Sequence, residues 1–300
     1  MSDGLGNILL DLFPLMWSGM ITGCLYALGA LGLVMIFKSS QVVNFSHGNV
    51  AGFAAFLIYG FSSGVLLNLS WGVAVLLAMI AVVAIAFLIY AVISPLVFES
   101  ELTATISTLG FGLIAQGATL LIFGADIVNL DLPIPRFSMS FLGLFITGYD
   151  LTVLAVAVVT IGTLFFVVDY TKLGIAFRAI SENPFAAEVC GLNLRSIHLF
   201  SWIVAAILGV VGALLIVPTT FLSVTTVAAF MLQAFAAAVI GGFASLPGSL
   251  VGGILIGILM NLFTFYVSAE FTSTFLLVLI LLALNVFPNG ILARAGGSRV

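Results

Sequence analysis

Two very long stretches without a charged residue constrain this chain more than any other feature of its sequence. Residues 39–98 and 196–269 contain no Asp, Glu, Lys or Arg. Only 6% of the whole chain is charged and 63% is hydrophobic, whereas a water-facing surface usually carries roughly 25–35% charged residues. An ordinary soluble globular protein is therefore excluded, and we expect most of the surface to face lipid.

Glycine, proline and polar residues divide the apolar stretches into helices. A spanning helix needs about 20 mostly apolar residues, and the alternation that a membrane β-barrel requires is absent. We therefore expect an all-α, polytopic integral membrane protein, with about 8–9 transmembrane helices in one domain over residues 1–300. The predicted spans are 12–37, 42–66, 72–94, 102–125, 151–168, 196–217, 227–243, 248–267 and 271–293.

The positions of the basic residues predict the orientation of the chain, because Lys and Arg in short loops remain cytoplasmic. Nine crossings leave only Arg136 outside. The basic residues expected in the cytoplasm are Lys38, Lys172, Arg178, Arg195, Arg294 and Arg299. Loop 126–150 then lies outside and loop 169–195 inside. If the segment around Asn44 turns back instead of crossing, only the N-terminal part changes sides.

The inner loop carries the sequence signals of a short helix. Asn183 is suited to the N-cap, Pro184 to the first helical position and Gly191 to the left-handed residue after the helix. We predict about two helical turns over residues 184–190, with one apolar side. The spacing leaves two interpretations open: a knob for a partner's groove, or a connector on the membrane surface.

A polar cluster interrupts the second predicted span. Its members are Asn44, Ser46, His47, Gly48 and Asn49. Polar side chains at membrane depth are costly unless they face protein or a water-filled cavity, so these are candidates for a substrate path. The alternative is that they only join helices by hydrogen bonds. His47 and His198 have no Cys or carboxylate cluster near them, and no metal site is predicted.

Small residues surround the predicted turn between the spans 227–243 and 248–267. They include Gly241, Gly242, Gly248 and Gly252, with Pro247 at the turn. Because small residues allow close approach of helices in a membrane, we interpret this group as helix-packing residues.

Several missing motifs limit the possible functions. There is no G-x-x-x-x-G-K-[ST] loop for ATP phosphates and no H-E-x-x-H, and the predicted spans contain no carboxylate. We therefore expect no enzyme activity, no catalytic residues and no cofactor. The chain also lacks the basic run that would indicate nucleic-acid binding.

Four stretches from the second span to the C-terminus together resemble one family. They are residues 43–48, 174–191, 241–253 and 288–292. The second stretch resembles the cytoplasmic loop of permease subunits of bacterial ABC importers, with its Ala-Ala pair and Gly, and it is most similar to branched-chain amino acid permeases of the LivH type. Asn49 departs from the pattern, since many members have an acidic residue there, and no role of that acid is carried over.

The resemblance implies a multi-pass permease subunit in a bacterial inner membrane, working with several partners. The implied partners are a second homologous permease, two cytoplasmic ATPase subunits and a periplasmic binding protein that delivers branched-chain amino acids, besides membrane lipid. The residues implied in ATPase coupling are Asn183, Pro184, Phe185, Ala186, Ala187, Glu188 and Gly191. The alternatives are a permease for urea, amides or another amino acid, and a stand-alone channel or facilitator.

Overall fold

The computed structural model describes residues 2–141 and 144–292, and Arg294 and Arg299, predicted to be cytoplasmic, lie outside the described residues. This part of the chain is mostly helical. The helices are α1 (Ser2–Ser40), α2 (His47–Ser62), α3 (Trp71–Glu99), α4 (Glu101–Phe123), α5 (Gly148–Tyr170), α6 (Lys172–Glu182), α7 (Pro184–Val189), α8 (Leu194–Ile216), α9 (Thr226–Gly241), α10 (Leu246–Tyr266) and α11 (Thr272–Val286), with a 3₁₀ turn at Val217–Thr219.

Six of the described helices are long and apolar enough to cross a membrane. These candidate spans are Leu12–Ser40, Trp71–Glu99, Glu101–Phe123, Gly148–Tyr170, Leu194–Thr219 and Leu246–Tyr266. Each agrees with a predicted span to within a few residues. Helices α2 and α9 have 16 residues each and α11 has 15, which is shorter than a full crossing needs. The structure is therefore that of a multi-pass membrane protein with six candidate spans.

The predicted span 42–66 begins later than expected, because residues 42–46 are not helical. The sequence analysis also did not predict a β-hairpin in loop 126–150, and this hairpin departs from the all-helical expectation. Its strands β1 (Ser138–Phe141) and β2 (Leu144–Thr147) pair antiparallel. At the end of the hairpin, the Asp150 carboxylate accepts hydrogen bonds of 2.8 Å from the backbone N–H and the hydroxyl of Thr147, and α5 begins there.

The chain forms two compact units, each assembled from distant parts of the sequence. The first contains residues 1–30, 132–160 and 233–300, and the second contains residues 31–131 and 161–232. In the second unit, α2 packs against α3, α4 and α8, and α3 also packs against α4 and α8. This arrangement surrounds α2, the helix that begins within the polar cluster.

In the first unit, α1 and α10 pack with their backbones in close contact. A Cβ atom added to Gly23 would lie 2.6 Å from the Cα atom of Ile254, and one added to Gly253 would lie 2.6 Å from the Cα atom of Ala27. Real Cβ atoms essentially never approach other atoms this closely. The contact therefore depends on glycine, which has no side chain, at positions 23 and 253, as in other membrane helix pairs rich in small residues.

The turn between α9 and α10 is equally tight. The Ser245 hydroxyl accepts a hydrogen bond of 3.0 Å from the N–H of Gly248 and caps α10, which has Pro247 in its first turn. Gly242 adopts φ +97°, a conformation that costs glycine little. A Cβ atom on Gly252 would lie 2.8 Å from the backbone nitrogen of Gly241, so bulk at this position would separate the two helices.

Candidate functional site

A break in the helical path separates α1 from α2, and we call residues 41–46 the α1–α2 linker. Gln41 has φ +56°, which is uncommon for a residue with a side chain. Just before it, the hydroxyls of Ser39 and Ser40 donate to the carbonyl oxygen of Ile36 at 3.0 and 2.9 Å. Helix α1 thus ends at a defined point rather than continuing into the predicted second span.

Side chains of α4 hold the linker in place. The backbone N–H of Phe45 donates to the Thr108 hydroxyl at 3.0 Å, and that of Val43 donates to the Thr105 hydroxyl at 3.3 Å. Thr108 is fully buried. Backbone groups outside a helix need other partners where water does not reach them, and the two threonines supply partners for this partly buried, non-helical segment. The sequence analysis did not identify them, because an isolated Thr in an apolar helix carries no motif.

Asn44 and Ser46 bond to each other within the linker. The Asn44 Oδ1 atom accepts from the Ser46 N–H at 3.0 Å and from the Ser46 hydroxyl at 2.6 Å. This is a local turn of the kind that Asn favours. Ser46 occupies the N-cap position of α2 but makes no side-chain cap, since its hydroxyl is directed to Asn44. Both side chains therefore shape the linker.

His47, the first residue of α2, is buried between two glycines of neighbouring helices. A Cβ atom on Gly32 of α1 would lie 2.7 Å from its Nε2 atom, and one on Gly209 of α8 would lie 2.8 Å from its Cε1 atom. Only 4% of His47 is exposed. The Nε2 atom has no hydrogen-bond partner among the described residues, although an unsatisfied buried polar group costs about 1–3 kcal/mol.

Gly48 and Asn49 continue the cluster on the next positions of α2. A Cβ atom on Gly48 would lie 2.6 Å from the Met231 side chain of α9, and one on Gly112 of α4 would lie 3.0 Å from the Asn49 Nδ2 atom. The Oδ1 atom of Asn49 is buried and has no hydrogen-bond partner within the described chain. The start of α2 therefore contains two polar atoms without partners among the described residues, His47 Nε2 and Asn49 Oδ1. Helix α2 itself contains no Asp, Glu, Lys or Arg.

The short helix predicted at 184–190 is confirmed as α7. The Asn183 side chain accepts from the N–H of Ala186 at 3.0 Å, Pro184 lies in the first turn, and Gly191 has φ +85°. The two apolar residues Phe185 and Ala187 do not share one environment on this helix. Phe185 is 76% exposed, whereas Ala187 is only 5% exposed, so the aromatic ring points away from the rest of the chain.

The inner loop also contains α6, a helix that the sequence analysis missed. Its buried residues include Ala176, Phe177 and Ile180, and their spacing of one, three and four positions is the signal that would have predicted an amphipathic helix. The Thr171 hydroxyl accepts from the N–H of Gly174 at 3.2 Å and caps it. Helix α7 contacts both α6 and α8, and it is therefore held against one of the candidate spans, α8, and against the other helix of its own loop.

The fold is that of a multi-pass membrane protein whose helical path is interrupted before α2. The family model described as "Branched-chain amino acid transport system / permease component" matches residues 15–284. The chain belongs to this family, as the four sequence stretches indicated.

Curated relatives agree with the family assignment. The chain is 28% identical to the high-affinity branched-chain amino acid transport system permease protein LivH of Escherichia coli K12, over 93% of this chain and 94% of the relative. It is 25% identical to the corresponding protein BraD of Pseudomonas aeruginosa, over 92% and 94%. A probable LivH of Methanocaldococcus jannaschii is 37% identical over 40% of this chain and 41% of its own length. No solved structure shows a significant match.

Members of this family are membrane transport subunits rather than enzymes, and ATP is bound by separate subunits. The chemistry of ATP hydrolysis therefore belongs to those separate subunits.

Proposed function

We propose that this chain forms one half of the translocation path of an ABC importer for branched-chain amino acids in a bacterial inner membrane. A second homologous permease forms the other half, two cytoplasmic ATPase subunits drive the cycle, and a periplasmic binding protein delivers the substrate. Family membership and the names of the full-length relatives support this proposal.

The proposed topology has about 8–9 crossings, in which α2, α9 and α11 supplement the six longer spans. Lys172, Arg178 and Arg195 surround α7 in sequence, and such basic loops remain in the cytoplasm. Loop 126–150 with its hairpin then lies in the periplasm. Residues 1–300 act as one permease domain in this proposal, although they draw on two compact units.

The proposed substrate path runs along the start of α2, and the observation that carries it is the pair of buried, unpartnered polar atoms on His47 and Asn49. Such groups at membrane depth are functional candidates, and broken helices are used by other transporters for the same purpose. Asn44, Ser46 and Gly48 hold the local backbone in shape. A polar group of the passing substrate would supply the missing hydrogen bonds.

The proposed coupling element is α7, with its flanking cap and turn. Phe185 and Glu188 are exposed and available to a groove on an ATPase subunit, together with Ala186. The buried Ala187 instead faces its own chain, and this contact would carry force from α7 to α6 and α8. Asn183, Pro184 and Gly191 fix the two ends of the helix. We assign Gly241, Gly242, Pro247, Gly248 and Gly252 to helix packing.

Reconstitution of the complete importer tests this function. Proteoliposomes that contain both permeases and the ATPase subunits should take up leucine only under two conditions. ATP has to be present on the side of the membrane that carries the ATPase subunits, and the binding protein has to be present on the opposite side. The variant His47→Leu should assemble with its partners and lose uptake. Normal uptake by an assembled His47→Leu complex would remove the cluster from the path, and uptake without ATP would favour a stand-alone facilitator.

A further inference from the structure

The first turn of α8 packs its side chains onto aromatic rings of α3. The guanidinium carbon of Arg195 lies 5.6 Å from the centre of the Phe98 ring. The His198 ring stacks on the same Phe98 ring, with the ring centres 5.9 Å apart, and meets the Tyr90 ring edge to face at 6.4 Å. Only 4% of His198 is exposed. Contacts with two rings of α3 therefore fix the orientation of the imidazole.

This turn of α8 follows α7 almost directly, since only residues 190–193 separate the two helices. The N–H of Leu192 donates to the carbonyl oxygen of Ala187 at 3.0 Å. The Asn193 side chain accepts from the N–H of Ser196 at 3.3 Å and caps α8. The connection is therefore bonded to both helices. Because packed and bonded segments transmit strain, a displacement of α7 should move the first turn of α8 with it.

The His198 imidazole also forms a hydrogen bond with the backbone of Ser39, at the end of α1. Ser39 is buried, and the last carbonyl groups of a helix have no partner within it. The N–H of Val43, which would bond to the Ser39 carbonyl if α1 continued, donates to Thr105 instead. The Ser39 carbonyl therefore needs a partner from another helix. His198 supplies it through Nε2–H, since its Nδ1 atom has no partner among the described residues.

We propose that His198 is a positioning residue that links α7 to the substrate path through the end of α1. Ser39 lies two residues before Gln41, the first residue of the α1–α2 linker, and the linker leads to His47. A shift of the first turn of α8 therefore reaches the linker through one hydrogen bond. The inference rests on the proposed function, since it requires that the ATPase subunits move α7 and that the polar cluster lines the path. Coupling of two sites then follows from an element that both of them bias.

Three substitutions of His198 that keep different parts of the side chain test the proposal. His198→Phe keeps a ring that can stack on Phe98 but removes the donor. His198→Gln keeps an N–H donor near the position of Nε2, whereas His198→Asn places one near the position of Nδ1. Leucine uptake and binding-protein-stimulated ATP hydrolysis are measured in the same proteoliposomes with the complete importer. The number of leucine molecules taken up per ATP hydrolysed should fall by about 2–10-fold in the Phe and Asn variants, the range that one hydrogen bond supports, and His198→Gln should restore it.

The matched control is Ser201→Ala on the same helix. Ser201 is also buried, but its hydroxyl donates to the carbonyl oxygen of Ile197 at 3.0 Å, so the lost hydrogen bond lies within α8 and the uptake per ATP should equal that of the wild type. An unchanged uptake per ATP in an assembled His198→Phe complex would overturn the proposal. Equal values for His198→Gln and His198→Asn would also overturn it, because a role in packing alone does not depend on the position of the donor, and this comparison decides the question if His198→Phe fails to assemble. Absence of ATP-dependent uptake by the wild type would instead contradict the proposed function.

Discussion

The close contact between Gly209 and His47 leads to a prediction that separates a role in transport from a role in folding. Gly209 lies within α8, where replacement by Ala would ordinarily favour the helix by about 1 kcal/mol. The added Cβ atom would lie 2.8 Å from Cε1 and 3.2 Å from Nε2 of His47. Ordinary van der Waals contact begins at 3.4 Å, so the ring has to move by about 0.6 Å, the difference between the two distances.

The expected free-energy change follows from two opposing effects. Overpacking of a filled site typically costs about 1–3 kcal/mol, and the gain in helix propensity offsets about 1 kcal/mol of this. Gly209→Ala should therefore destabilise the chain by about 0–2 kcal/mol, which leaves it inserted and assembled. Misplacement of a functional group by about 1 Å can cost on the order of 100-fold in rate, so uptake should fall by about 10–100-fold.

The assay compares Gly209→Ala with Gly162→Ala, a matched control in α5 whose added Cβ atom meets nothing within 4 Å. Leucine uptake is measured in proteoliposomes with all partners, and thermal unfolding is measured on the same purified complexes. Gly162→Ala should retain wild-type uptake and gain up to about 1 kcal/mol in stability from its helix propensity. Wild-type uptake by a correctly assembled Gly209→Ala complex would refute the reasoning, because it would show that the position of the imidazole is irrelevant to transport.

Three further predictions concern α7 and the orientation of the chain. Phe185→Ala removes an exposed ring without changing the packing of the permease, so the complex should insert normally but bind its ATPase subunits less tightly, which copurification would measure. Gly191→Val places a β-branched residue at φ +85°, and the local backbone strain should cost about 1–3 kcal/mol. Uptake and stimulated ATP hydrolysis should therefore fall together, and wild-type rates of both in the variant would contradict this. The exposed thiol of Cys190 should resist an impermeant reagent in intact cells, whereas a thiol introduced by Ser138→Cys should react, and the reverse pattern would overturn the orientation.

Part of the candidate site was predictable because its signals are local. The cap, first-turn proline and terminal glycine of α7 act within a few residues of one another, and the structure reproduces each of them around Asn183, Pro184 and Gly191. Helix α6 was missed although its spacing is equally local, since the charges of its exposed face led to the interpretation of a polar loop. The hairpin was missed because four-residue strands carry too little alternation to be recognised.

The environment of the polar cluster could not be predicted, because it depends on residues far apart in the chain. Nothing in the sequence around His47 indicates that Gly32 and Gly209 lie on either side of its ring. The threonines that hold the linker are more than 60 positions away from it. Such contacts arise from helix packing, and an individual Gly or Thr in an apolar helix has no pattern that identifies its partner.

The sequence by itself determined the class of molecule, since 6% charged residues cannot supply a water-facing surface and lipid is the remaining solvent. It also determined the family, because four separated stretches appear together and in order. Only the tertiary structure decided that α2 begins at His47 and that two buried polar atoms there lack partners among the described residues. The physical reason is that burial and hydrogen-bond satisfaction are properties of neighbours in space, and neighbours along the chain do not specify them.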